Sequence, residues 1–173
     1  ANDTIIEGEA KPVHDPARWR GIAEADSPLA QSLDRIVEAE PGFDARHFLS
    51  GGRAAYEAIV LAFAAGDRST LKDLLSRDVF ESFTGAIAER ESKGETVETT
   101  FVSLDKVEIK DAQIKGKTVQ ITVKFLSKLI TATRNAKGDI IEGATDKVID
   151  VTDVWTFARE VGSRDPAWKL IAT

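Results

Sequence analysis

The sequence predicts an α+β domain in which helices pack on a curved four-stranded antiparallel sheet. Three observations carry this reading. Up to about Gly94 the apolar residues recur at intervals of three and four; from Glu95 onward the interval falls to two; and the two patterns are not interleaved. With 173 residues, 42% apolar and 30% charged, the chain suits one domain around one core.

Ser27–Pro28 reads as a helix start, with the serine as cap and the proline in the first turn. Leu29, Leu33, Ile36 and Val37 follow at helical spacing, and Pro41–Gly42 ends the segment. A short helix over Pro16 to Ala25 is expected before it. Asp44 caps the longest predicted helix, Ala45 to Ala65, whose inward stripe is Phe48, Gly52, Tyr56, Ile59 and Phe63. Gly66 closes it, and Asp67 caps a short helix that buries Leu71, Leu74 and Leu75. A further helix is expected to start at Asp78, turn Val79, Phe80, Phe83 and Ile87 inward, and stop at Gly94.

The clearest strand is Thr118–Phe125, with Val119, Ile121, Val123 and Phe125 on one face. Val102 and Leu104 have the opposite parity to Val107 and Ile109, so a bulge is expected near Asp105–Lys106. Turns are expected at Lys115–Lys117, Asn135–Asp139 and Gly162–Pro166, which joins four strands into a meander. Residues 1–15 read as a flexible arm, 16–42 as an N-terminal amphipathic helical segment and 43–173 as the α+β domain.

Composition excludes several functions. The net charge is −6, with 11 basic and 19 acidic residues counted over 1–100 and 9 basic and 7 acidic over 101–150. No cationic stripe suited to a phosphate backbone is present, so nucleic acid is not expected as a partner. The chain has no cysteine and only His14 and His47 as histidines, so neither a metal site nor another cofactor is expected. The longest apolar run, Ala58–Ala65, is too short to span a bilayer, and no signal peptide is visible. Any membrane attachment is therefore expected to be peripheral, or to lie in sequence not shown.

Two groups of residues are candidates for a site. Asp153, Trp155 and Phe157 share a strand face, which sets a carboxylate beside two rings. In an apolar pocket that carboxylate is a candidate general acid or base. Tyr56, the only tyrosine, is its candidate oxyanion or proton partner. Against this, and read first, Asp153 is a paired or exposed carboxylate, Tyr56 a core tyrosine with its tip at the surface, and His47 an ordinary first-turn imidazole. The predicted inward aromatics Phe48, Tyr56, Phe63, Phe80, Phe83, Phe125, Trp155 and Phe157 either line an apolar pocket or fill the core.

The second group is Arg18, Trp19, Arg20, Ile22, Leu29, Leu33, Arg35 and Ile36. Indole and aliphatic groups flanked by guanidinium groups suit a membrane interface. Glu24, Asp26, Asp34 and Glu38 nearly balance that charge, which instead suits an arm docked on the domain or on a neighbouring chain.

Three strings in order resemble a known family. The first is Phe43-Asp44, Phe48-Leu49, Gly52, Ala55-Tyr56-Glu57, Ile59-Val60, Ala62-Phe63-Ala64 and Gly66-Asp67. The second runs through Leu71, Leu74-Leu75, Val79, Phe83, Ala86-Ile87 and Arg90 to Gly94. The third is Trp155-Thr156-Phe157, Arg159, Ser163, Asp165-Pro166, Trp168, Leu170 and Ala172-Thr173. Over Phe43 to Thr173 the chain resembles the C-terminal domain of the mitochondrial translocase-of-inner-membrane subunit forty-four and its bacterial homologues, closest to the alphaproteobacterial ones. The resemblance implies a nuclear-transport-factor-two-like cone, a curved antiparallel sheet folded around helices with a large apolar pocket. It also implies a non-catalytic, peripheral inner-membrane scaffold, on the matrix face in mitochondria or the cytoplasmic face in a bacterium. The implied partners are anionic phospholipid such as cardiolipin, met by the segment around Arg18–Val37, and membrane proteins. A small-molecule enzyme on the same cone, using Asp153 and Tyr56, is the competing reading, and a homodimer through the outer sheet face or exchanged N-terminal helices is a third.

Overall fold

Each helix begins where a side chain takes up backbone donors that the helix itself leaves open. The computed structural model describes Asp15 and residues 17–173. The arm expected over 1–15 therefore lies almost wholly outside the described residues. Residues 17–26 form successive turns rather than the expected short helix, because Gly21 (φ 82°) and Asp26 (φ 60°) both adopt left-handed backbone.

Helix α1 (Pro28–Ala39) starts with Ser27 Oγ accepting the Ala30 N–H at 3.1 Å. Asp44 accepts the N–H groups of Arg46 and His47 to start α2 (Ala45–Ala65). Gly66, at φ 72°, ends α2 in the left-handed conformation that favours glycine. Asp67 caps α3 (Arg68–Leu74). Helix α4 (Arg77–Ser92) begins earlier than expected, with Ser76 as its cap and Asp78 in its first turn. The reason is tertiary: the Ser76 N–H donates to the Leu170 carbonyl at 2.9 Å, which holds Ser76 extended at the cap position.

The strands are β1 (Thr96–Lys115), β2 (Thr118–Arg134), β3 (Ile140–Gly143), β4 (Ile149–Glu160) and β5 (Lys169–Ala172). All pairings are antiparallel, in the order β1-β2-β4-β5. The four strands of this path are joined by a short fifth, β3, which pairs with the end of β2. The pairing of β1 with β2 shifts register three times, at Phe101/Ser103, Leu104/Lys106 and Ile109/Asp111. The middle shift is the expected bulge; together the three bend and twist β1, curving the sheet around the helices.

Helices α1 and α2 lie against β1, while α3 and α4 reach β5. The concave face of β2 supplies Val119, Ile121, Val123 and Phe125, all buried, and Trp155 and Phe157 continue it on β4. One core cluster runs from Trp19 and α1 through α2 to Leu170, so residues 17–42 share the core of residues 43–173. At 21 residues, α2 is long and apolar enough by length and composition to cross a membrane, unlike the uninterrupted run of eight within it. In the fold one face of it joins the core: Phe48, Gly52, Tyr56 and Ile59 are buried, while Arg46, Arg53 and Glu57 face out.

Candidate functional site

Tyr56 and Asp153 meet, as the sequence reading asked of them, but they meet each other. The Tyr56 hydroxyl donates to Asp153 Oδ2 at 2.6 Å. With that proton committed, the Ser127 hydroxyl donates to Tyr56 Oη at 2.9 Å. Tyr56 is fully buried, and its ring stacks on Phe125 with centroids 4.4 Å apart and planes 16° apart. Trp155 lies at 4.7 Å and Phe101 at 6.0 Å. Burial, then the Asp153 bond, push the Tyr56 phenol well above its ordinary value, against a smaller lowering by Ser127. A phenol held this way is a poor proton donor to a substrate. The cluster fills the concave face where a catalytic pair would need an open position.

The other predicted aromatics divide between packing and lining. Phe63 and Phe83 stack edge-on at 5.0 Å, and both they and Phe80 are half-buried against the core. Phe48 and Phe157 line an open cleft of about 250 Å³ between α2 and the turn before β5. Its other walls are His47, Gly51, Gly52, Ala55, Leu74, Pro166, Ala167 and Trp168. A second cleft of about 530 Å³ adjoins it, sharing His47, Phe48, Pro166 and Trp168 and adding Glu40, Phe43 and Arg159. Trp168 is the common wall, packed edge-on against Phe48 at 4.8 Å and Phe43 at 6.2 Å.

The floor of the smaller cleft is a pair of glycines in the middle of a helix. A Cβ built on Gly51 or Gly52 meets no neighbouring atom within 4 Å, and neither residue has a positive φ. Mid-helix glycine costs about 1 kcal/mol relative to alanine. Neither backbone conformation nor crowding requires glycine here, so its structural effect is the open space above it. Sequence reasoning placed Gly52 on the inward stripe but missed the cleft. The legible signal was an adjacent glycine pair inside a strong helical pattern.

The larger cleft is braced by an ion pair. Arg159 Nη1 contacts both Glu40 carboxylate oxygens at 2.6 Å, and the Gly162 N–H donates to Glu40 Oε1 at 2.8 Å. Arg159 also donates to the carbonyls of Ser163 and Asp165, fixing the turn that carries Trp168. Burial raises the Glu40 carboxyl, but the Gly162 N–H and the Arg159 guanidinium outweigh it and hold it below its ordinary value. Among the described residues no group of three or more ligating side chains could hold a metal ion.

Three members of the predicted docking set are not surface residues. Trp19 is 4% exposed, with its indole N–H donating to Asp34 Oδ1 at 2.8 Å, and Leu33 and Ile36 are wholly buried. They cannot insert into a bilayer from this conformation, because they hold α1 and its preceding turns to the core. Arg18, Ile22 and Leu29 are half-buried, whereas Arg20 and Arg35 are exposed.

The family model described as the Tim44-like domain matches residues 29–173. The chain belongs to the Tim44-like family. The curated relatives of this Tim44-like domain include the human mitochondrial import inner membrane translocase subunit TIM44, 25% identical over 146 residues, covering 83% of this chain and 32% of that protein. Arabidopsis thaliana TIM44-1 is 24% identical over 155 residues, covering 86% of this chain and 32% of the relative. The chain thus spans about a third of the length of these relatives. Among solved structures, the intermembrane space region of chloroplast protein ARC6 aligns with a TM-score of 0.48 at 15% identity, over 75% of this chain and 93% of that one. The helices against a curved antiparallel sheet are the nuclear-transport-factor-two-like cone of Tim44-like domains.

Proposed function

We propose that this Tim44-like domain is a non-catalytic, peripheral membrane-associated scaffold that seats an apolar chain of an anionic phospholipid in the Trp168 cleft. The observation that carries the reading is the Gly51–Gly52 floor, an apolar space kept open at a cost in helix stability. His47 lines the cleft, and Arg46, its exposed neighbour, donates from Nη2 to the Arg20 carbonyl at 2.8 Å. Exposed Arg20, Arg35 and Arg46 supply cations for a headgroup, cardiolipin being the anionic lipid that fits a doubly charged contact. Trp19, Leu33 and Ile36 support this surface from beneath. The relatives, named as inner-membrane translocase subunits, support membrane-protein partners in a protein-translocation assembly. The corresponding location is the inner membrane, on the matrix face in a mitochondrion or the cytoplasmic face in a bacterium.

Vesicle flotation tests this. The intact chain is expected to float with phosphatidylcholine vesicles containing cardiolipin and to remain behind with phosphatidylcholine alone. Gly52→Leu, which places a side chain in the cleft, is expected to stay folded and lose flotation. Equal recovery of the two proteins would refute the cleft as the lipid site. Equal flotation on both vesicle types would refute the anionic preference.

A further inference from the structure

Glu40 ties the end of α1 to the turn before β5. It caps the C-terminus of the helix, where the last carbonyls carry partial negative charge and disfavour a carboxylate. What holds it there comes from the far side: Arg159 Nη1 reaches both carboxylate oxygens, and the Gly162 N–H reaches Oε1. The same guanidinium donates from Nη2 to the Ser163 carbonyl and from Nε to the Asp165 carbonyl. The Ser163 hydroxyl accepts the Asp165 N–H, and Asp165 Oδ1 accepts the Ala167 N–H. A chain of polar contacts thus runs from α1 to the residue before Trp168.

The bracket is poorly placed to be a stability device. The side chains of Arg159 and Glu40 are 16% and 18% exposed, so both charges are largely desolvated, and an ion pair of that kind contributes little over apolar packing. What it supplies is position: it stands Trp168 against Phe48 as the shared wall of both clefts. Helix α1 is held to the core through Ala30, Leu33, Ile36 and Val37. A helix of 12 residues is marginal by itself in water, so α1 leaves the core as a unit that unfolds locally. When it does, Glu40 goes with it, and Arg159 is left as an uncompensated charge beside the turn.

We infer that Glu40 and Arg159 form a latch coupling α1 to the smaller cleft, which holds an apolar ligand while α1 is docked and releases it when α1 leaves the core. Neither residue lines the smaller cleft, so their effect on it passes through the turn and Trp168. Coupling of this kind is reciprocal: a ligand seated against Trp168 holds α1 down by the same factor by which the latch strengthens the ligand. The latch rests, as the lipid reading does, on the smaller cleft accepting an apolar group. It does not need that group to be a lipid's, so failure of vesicle flotation leaves it standing.

The probe is N-phenyl-1-naphthylamine, a neutral dye that fluoresces in apolar surroundings, titrated against the full chain. Saturable binding is expected, and Gly52→Leu is expected to abolish it. Glu40→Gln keeps the shape of the side chain and removes its charge; it is expected to weaken binding by about tenfold, a coupling of ordinary size. A second measurement needs no variant. When the unaltered chain is saturated with dye, amide hydrogen exchange at Leu33, Ile36 and Val37 is expected to slow by about the same factor. In Glu40→Gln the dye is expected to leave those rates unchanged. The latch is overturned if the unaltered chain shows no saturable binding that Gly52→Leu removes, or if folded Glu40→Gln binds the dye equally well. It is also overturned if saturating dye leaves α1 exchange in the unaltered chain as it was, and that measurement decides alone should Glu40→Gln fail to fold.

Discussion

Replacing Gly52 by alanine is a direct test of the cleft floor, because the structure predicts that this change in a buried helix is stabilising. Gly52 lies in the interior of α2, buried, and a Cβ there meets nothing within 4 Å. The helix-propensity gain of about 0.8–1.0 kcal/mol is therefore unopposed by a clash. For a chain of this size that corresponds to a rise in Tm of about 2–4 °C. Thermal and urea unfolding, followed by circular dichroism, measure it. The contrast is Gly143→Ala: Gly143 has φ 74°, and its Cβ would sit 2.1 Å from the Thr131 carbonyl oxygen. Backbone strain and overpacking there are expected to cost about 3 kcal/mol or more. A neutral or destabilising result at Gly52 would show that the space above it is filled, and the argument from the glycine pair would fall with it.

Other consequences follow from the buried polar groups. Tyr56 has a raised folded-state pKa, so its contribution to stability is complete below the unfolded value near 10 and is lost as pH rises above it. Tyrosinate absorbance of this single tyrosine is expected to appear only with unfolding; a titration in the folded state with an ordinary midpoint would contradict the buried cluster. Tyr56→Phe leaves Ser127 and Asp153 without a partner and is expected to cost about 1–3 kcal/mol in urea unfolding. Glu40 has a depressed folded-state pKa, so its contribution is present above the unfolded value near 4.3 and is lost as pH falls through the folded one. Glu40→Gln is expected to destabilise by about 2 kcal/mol at pH 7 and by little at pH 3, read from urea midpoints at the two pH values.

Much of the scaffold was legible because local chemistry and tertiary structure agree. Ser27, Asp44, Gly66 and Asp67 sit at helix ends for reasons contained in their own side chains and backbone freedom. The parity conflict between Leu104 and Val107 revealed the central bulge of β1, since a two-residue period tolerates no other repair. The start of α4 was not legible, because the Leu170 carbonyl that holds Ser76 extended lies 94 residues away. For the same reason the indole of Trp19 read as a membrane anchor, although Asp34 and the core hold it down.

The candidate sites divide along the same line. The amino-acid sequence by itself determined the fold class, the stripe carrying Phe48, Gly52 and Tyr56, and the strand face shared by Asp153, Trp155 and Phe157, because periodicity fixes which side of an element a residue occupies. Only the tertiary structure decided that Tyr56 and Asp153 satisfy each other, that the open space lies beside Trp168, and that β5 leaves Asp150 to Val154 uncovered. Those outcomes depend on the distance between elements and on where a neighbouring strand stops, and neither quantity is written in the spacing of residues along one strand or helix.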